Sequence, residues 1–257
     1  MKKLYKYLIN TLPRPLLIRL SYVFRVFAPL VYKGNKVDCP VCEKSFKKFL
    51  SYGSNVAHRD NVLCPYDLTL ERHRLMWVYL KNKSNFFTAE KLKVMHIAPE
   101  QCFYSKFKKQ NNLEYKTGDL LSPLADIHFD LHKTPSQDKQ YDVIFCHHVL
   151  EHVEDDHKCM TELHRIMNSG GWGVFQVPID TSRMETYEDA SIVSPEEREK
   201  HFWQYDHLRL YGLDYPKKLE AAGFEVEIYD YHKDMPKEQY EKYRFHADEL
   251  LYIVKKK

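Results

Sequence analysis

Tyr141–His152, YDVIFCHHVLEH, is the stretch whose reading decides the fold. Tyr141 to Cys146 is a nearly unbroken apolar run with β-branched and aromatic residues, the pattern of a strand buried on both faces. Two histidines end it. Asp155 and Asp156 then precede Met160, Leu163, Ile166 and Met167, an apolar set at helical spacing with acidic residues where a helix dipole favours them. Strand, polar turn and helix follow one another, and in open α/β sheets ligands bind beyond the carboxyl ends of such strands. His147, His148, Glu151 and His152 are therefore expected at a ligand site.

Around this stretch, 257 residues with 44% hydrophobic content suit one sizeable domain plus an accessory module. The net charge of +3 conceals an asymmetry, since residues 1–36 hold eight Lys or Arg and no acid. Six unevenly spaced cysteines do not read as a disulfide framework, and no cleavable signal peptide is evident, so a reducing, cytoplasmic setting is expected. Residues 1–36 are expected to hold a basic amphipathic helix, with Leu16, Leu17, Leu20, Val23, Phe24 and Phe27 on one face. It is too short and interrupted to span a bilayer. It either packs on its own domain or lies peripherally on an inner membrane, its lysines drawn to anionic lipid.

Residues 37–85 read as a knuckle and a linker helix. Cys39-Pro40-Val41-Cys42 and Cys64-Pro65-Tyr66-Asp67 offer ligands three positions apart, as in a zinc ribbon. Cys39, Cys42, Cys64 and Asp67 are the candidate ligands of a structural zinc, with His58 or His73 as substitutes for the aspartate. The Lys44, Lys47 and Lys48 cluster reads as a solvated face, and no nucleic-acid partner is expected. Leu70–Lys81 is predicted to be a helix that leads to a boundary near residue 85.

From Lys93 the chain alternates strand and helix, which predicts a doubly wound, mostly parallel seven-stranded sheet over residues 86–257. Lys93–Ile97 is its first strand, followed by Ala98-Pro99-Glu100. No glycine lies between Gly53 and Gly118, so a Gly-rich phosphate cradle is absent and a pyrophosphate-bearing dinucleotide is not expected. Asp119 ends the second strand, where a carboxylate can accept hydrogen bonds from a ribose diol, and Asp130 could accept from an adenine amino group. Phe224–Tyr231 and Glu249–Val254 would complete the sheet, the last strand antiparallel. Residues 179–212 form an insertion, rich in aromatic and ionisable groups.

The ordered set HIAPE at 96–100, GDL at 118–120, YDVIFCHHVLEHVEDD at 141–156 and GGWGVFQVP at 170–178 resembles the class I S-adenosylmethionine-dependent methyltransferases. It looks most like a bacterial, type 11-like subgroup with an IAPE first motif and a CPVC knuckle followed by LERHRL, although Asp67 stands where that subgroup has cysteine. The resemblance implies a Rossmann-like methyltransferase fold with S-adenosylmethionine as cofactor. It implies that Ala98 and Glu100 touch the methionine end, that Asp119 holds the ribose and Asp130 the adenine, and that His147 lines the sulfonium side. A small-molecule, glycan or lipid-linked acceptor would be aligned in line with the methyl carbon and sulfur. His148 and His207 are the catalytic candidates, with His152 beside them, should the acceptor need to lose a proton. The insertion after the fifth strand is expected to help form the acceptor pocket, through Glu188, Asp189, His207, Arg209 and Tyr211.

Two other readings compete. His148-Val149-Leu150-Glu151-His152 fits the HxxEH pattern of inverted zinc metalloproteases, which needs both histidines on one face of a long helix. A methyltransferase-like protein that binds the cofactor, or keeps only the fold, without turnover is the other.

Overall fold

The computed structural model describes residues 12–53 and 58–257; the part of the N-terminal helix expected within residues 1–11 lies outside them. The chain divides into two compact units. One runs to Arg74 and also takes in Pro236–Phe245, and the other comprises Leu75–Met235 and His246–Lys257.

In the first unit, helix α1 (Arg14–Tyr32) precedes four short strands, β1 (Lys33–Cys39), β2 (Lys44–Phe46), β3 (Leu50–Tyr52) and β4 (Arg59–Leu63). They form two antiparallel hairpins, β1 with β2 and β3 with β4. The apolar stripe of α1 is exposed: Leu20 is 49% accessible, Val23 58% and Phe27 62%. Of the helix residues whose side chains are described, only Ala28 is buried, because two-stranded hairpins offer little apolar surface to cover a helix.

Helix α2 (Glu71–Asn82) corresponds to the expected linker helix, and the two units divide within it, at Arg74, rather than near residue 85. The side chains explain the position. Arg74 is fully buried, donates through Nη1 to Val62 O and Thr69 O at 2.8 Å each, and reaches Tyr243 O at 2.6 Å through Nε. Trp77, one turn on, instead stacks on Phe103 and Phe107 of the second unit, with centroids 6.3 and 6.2 Å away.

The second unit is built on β5 (Leu92–Ile97), α3 (Gln101–Phe107), β6 (Leu113–Asp119), β7 (Ile127–His128), β8 (Tyr141–His147), α4 (Asp156–Ile166) and β9 (Met167–Gln176). A small ribbon of β10 (Tyr187–Glu188) and β11 (Arg209–Leu210) flanks α5 (Pro195–Phe202), followed by α6 (Tyr215–Ala221) and β12 (Glu225–Tyr229). Helix α7 (Lys237–Tyr243) returns to the first unit, and β13 (Leu251–Lys255) closes the sheet. The seven strands run β12-β13-β9-β8-β5-β6-β7. All pairings are parallel except those of β13, which lies antiparallel to both neighbours, as the sequence predicts. Strand order reverses between β5 and β8, and that switch point opens the crevice where an α/β sheet binds its ligand.

Helix α4 starts as expected, with the Asp155 carboxylate accepting from Lys158 N at 2.9 Å as an N-cap. It buries Cys159, Met160, Leu163 and Ile166 against the sheet. Met167, expected on this helix, instead opens β9, since the cap ends the helix at Ile166. In β9, a Cβ on Gly173 would come 2.3 Å from the backbone oxygen of Ile144 in β8. A carbonyl inside a parallel ladder cannot step aside, so Gly173→Ala is expected to destabilise the protein by about 1–3 kcal/mol, read by urea unfolding; an unchanged midpoint would show that the ladder yields.

Candidate active site

Four parallel strands deliver the site. β5 is followed by Ala98, which adopts a left-handed conformation (φ 50°) while its N–H donates to Gly118 O at 2.8 Å. The turn thus has the backbone shape for which glycine is the strain-free residue, and alanine accepts the cost there. β6 ends in Asp119, whose Oδ1 accepts from Leu121 N and Ser122 N at 2.7 Å each. Beyond β7, Asp130 Oδ1 accepts from His132 N at 2.9 Å and pairs with His132 Nδ1 at 2.6 Å. That hydrogen bond from the His132 amide, reinforced by the ring, holds the Asp130 carboxyl below its usual range. Each aspartate spends one oxygen on its own turn, and among the described residues no hydrogen bond reaches the other. Ala98, Asp119, Asp130, His148 and His152 line one cleft of about 850 Å³, within the roughly 300–1,000 Å³ of small-molecule sites. The residues fit an adenosyl cofactor, with two acceptors for ribose and base at adjoining strand ends.

Comparison with known proteins agrees with this arrangement. The family model described as "Methyltransferase domain" matches residues 84–175. Residues 84–175 thus match a methyltransferase domain, and the seven-stranded sheet they belong to has the class I, Rossmann-like methyltransferase fold. Among solved structures, the [4+2]-cyclase SpnF is 11% identical over 92% of this chain and 94% of its own, with a TM-score of 0.50. An S-adenosylmethionine-dependent methyltransferase from Archaeoglobus fulgidus is 16% identical over 72% and 94%, at 0.46. Another from Mesorhizobium loti is 14% identical over 68% and 99%, at 0.41. No curated protein matches. At such identities the likeness is one of fold, and the name of the cyclase shows that this fold hosts more than one chemistry.

Within the methyltransferase domain the structure separates the expected site residues into two groups. Ala98, Asp119, Asp130 and His148 come together at the cleft. Glu100 and His147 pair with each other instead, Glu100 Oε2 lying 2.8 Å from His147 Nδ1, and neither lines the cleft. Strand alternation accounts for this: His147 shares its face with Phe145, and the two rings lie 6.0 Å apart in the core. Buried His96, on the neighbouring β5, joins them 3.7 Å from Glu100, with its Nδ1 2.8 Å from Tyr115 Oη. Burial lowers the His96 pKa, while the nearby Glu100 carboxylate opposes the shift.

His148, at φ 52°, begins a turn rather than a helix, so the two histidines of the HxxEH pattern do not share a helical face and the protease geometry is not formed. His148 Nδ1 lies 3.1 Å from Glu151 Oε1. Burial raises the pKa of Glu151, but the hydrogen bond and charge of His148 outweigh it and the carboxyl falls below its ordinary value.

The insertion corrects several expectations. Arg209, taken from sequence as an acceptor ligand, is buried and donates to Leu150 O, Val153 O and Glu154 O at 2.7, 2.5 and 2.9 Å. Tyr211 Oη donates to Asp156 Oδ2 at 2.7 Å, and Glu188 pairs with Arg209 and Lys218. Arg209 and Tyr211 fasten the insertion to the turn after β8 and the start of α4, and Glu188 ties Arg209 to Lys218 of α6. Asp189 caps Ser191 at the surface. His207 is 4% exposed and its Nδ1 donates to Phe202 O at 2.9 Å, so it is not placed to take a proton from a ligand in the open cleft. No periodicity announces Arg209 as a tie, because its partners are carbonyls more than fifty residues earlier.

In the first unit, one ligand atom each from Cys39, Cys42, Cys64 and Asp67 lies within 4.8 Å of the other three. Cys42 Sγ and Cys64 Sγ are 3.8 Å apart and Cys39 Sγ is 3.5 Å from Asp67 Oδ2. A tetrahedron with zinc–sulfur bonds of about 2.3 Å has edges of about 3.8 Å, so the donor set fits that ion. Burial, followed by the charge of Cys39, pushes the Asp67 carboxyl up to about 6. His58 and His73 are engaged elsewhere, near Gly53 O and with Leu70 N.

Proposed function

We propose that the protein methylates a small-molecule or lipid-linked acceptor that enters the cleft beside His148. The observation that carries this reading is the convergence of Asp119, Asp130 and His148 on one cleft at the strand ends. When bound, the cofactor supplies a methyl group on a sulfonium, which needs alignment more than activation. Asp119 and Asp130 orient its ribose and adenine. Glu151 fixes the His148 ring, which can then accept a proton from an acceptor hydroxyl or amine. The exposed apolar face of α1, on a segment with basic residues and no acid, supports contact with an anionic membrane and hence a lipid-linked acceptor. Among the described residues no helix is long and apolar enough to cross a membrane.

The test is methyl transfer from radiolabelled S-adenosylmethionine into fractionated cell extract. Label in the lipid or small-molecule fraction is expected. Label confined to protein or nucleic acid would overturn the acceptor class, and cofactor binding without any S-adenosylhomocysteine would favour a non-catalytic binding protein.

The knuckle is proposed to hold a structural zinc through Cys39, Cys42, Cys64 and Asp67, a closed site with no position left for substrate. Cobalt substituted into the full chain should show sulfur-to-cobalt charge-transfer absorption that is lost in Cys64→Ser. If wild type shows no such band, the knuckle holds by packing alone.

A further inference from the structure

A second group of metal-type donors lies in the methyltransferase unit, where the turn after β8 meets the insertion. One ligand atom each from Glu151, His152 and His207 lies within 4.8 Å of the others. We propose that Glu151, His152 and His207 form a binding site for a divalent metal ion, whose remaining coordination positions face the acceptor side of the cofactor cleft.

The hydrogen bonds around the three side chains are those a ligand set needs. His207 Nδ1 faces Phe202 O at 2.9 Å, and a carbonyl can only accept, so the proton sits on Nδ1 and Nε2 keeps its lone pair. His152 Nδ1 faces Asp206 O at 3.3 Å, which leaves its Nε2 free in the same way. The two rings are 4.7 Å apart, edge to face. Glu151 is 1% exposed, and while Oε1 is held by His148, Oε2 is buried with no hydrogen-bond partner among the described residues. An orphaned carboxylate oxygen in the interior is costly, and a cation beside it removes the cost. Metal–nitrogen and metal–oxygen bonds of about 2.1 Å require ligand separations of about 3.4 Å in a tetrahedron, a modest closure from the present spacing. Two histidines and one carboxylate on one side of an ion, with open positions opposite, suit Mn²⁺, Fe²⁺, Co²⁺ or Zn²⁺.

The open side is set by His152 and Asp206, which line the cleft. Resting on the methyl-transfer reading, the ion selects an acceptor with a hydroxyl or phenol oxygen. That oxygen binds the metal and gives its proton to His148. It then forms the new oxygen–carbon bond as the carbon–sulfur bond breaks, and the electron pair returns to sulfur in S-adenosylhomocysteine. Glu151 serves both steps, one oxygen on the ion and the other on His148.

Manganese binding to the full chain, followed by electron paramagnetic resonance of the free ion, tests the site without reference to turnover. Mn²⁺ prefers carboxylate and imidazole and leaves the cysteine knuckle unread. One Mn²⁺ per chain is expected, with affinity falling at least tenfold in Glu151→Gln and in His152→Gln. His152 is partly exposed in a turn, so its variant reports on a folded protein even if the Glu151 change perturbs the turn; circular dichroism without metal checks both. No binding by wild type, or binding that persists unchanged in both variants, as an ion at His96, Glu100 and His147 would give, overturns the proposal. Either result leaves the methyl-transfer reading to its own radiolabel test.

Discussion

Arg209→Leu is expected to lower stability by about 3–5 kcal/mol. Its guanidinium satisfies three backbone carbonyls, Leu150 O, Val153 O and Glu154 O, and lies 3.1 Å from Glu188 Oε1 and 3.7 Å from Asp156 Oδ2. Leucine fills part of the volume but removes the charged donor that three carbonyls and two carboxylates share, and breaking a buried charged network from one side costs about that much. Arg209→Lys places one ammonium where a fork served several acceptors, so it should recover only part of the loss. Urea unfolding measures the effect, and limited proteolysis within residues 179–212 shows whether the insertion detaches first. A loss below about 1 kcal/mol would mean that the insertion is held by something other than this tie.

Asp119→Ala is expected to weaken S-adenosylhomocysteine binding by roughly 10- to 100-fold, or about 1.4–2.7 kcal/mol, measured by calorimetry. On the proposed function, Oδ2 of Asp119 is the acceptor for the ribose diol, and charged acceptors make the stronger hydrogen bonds. Alanine also removes the two amide bonds that shape the turn at Leu121 and Ser122. Asp119→Asn separates the two contributions, since its amide oxygen can still accept from the turn while the charge toward the ribose is gone. Asn should therefore fall between wild type and Ala. Affinity unchanged in both variants would remove Asp119 from the site.

The local pattern of residues was enough to determine the sheet. A nearly unbroken apolar run at 141–146, a capped helix behind it and a final strand at 251–255 are short-range signals, because burial on two faces and capping are written in neighbouring residues. The strand ends that carry Ala98, Asp119, Asp130 and His148 were legible for the same reason, since a polar residue after a buried strand sits at the sheet's carboxyl edge. The four-donor knuckle was legible from its spacing, and the choice of Asp67 over His58 or His73 came only with the chain folded.

What only the tertiary structure decided depends on partners distant in the chain. His147 turns to Glu100 and away from the cleft because the pleat assigns it to the inner face, and Arg209 and Tyr211 tie a loop because they meet a turn more than fifty residues away. His207 reaches Glu151 and His152 for the same reason. Side-chain periodicity says which face a residue takes within its own element, whereas the identity of a hydrogen-bond partner across the fold is set by packing, and single-chain patterns carry no record of it.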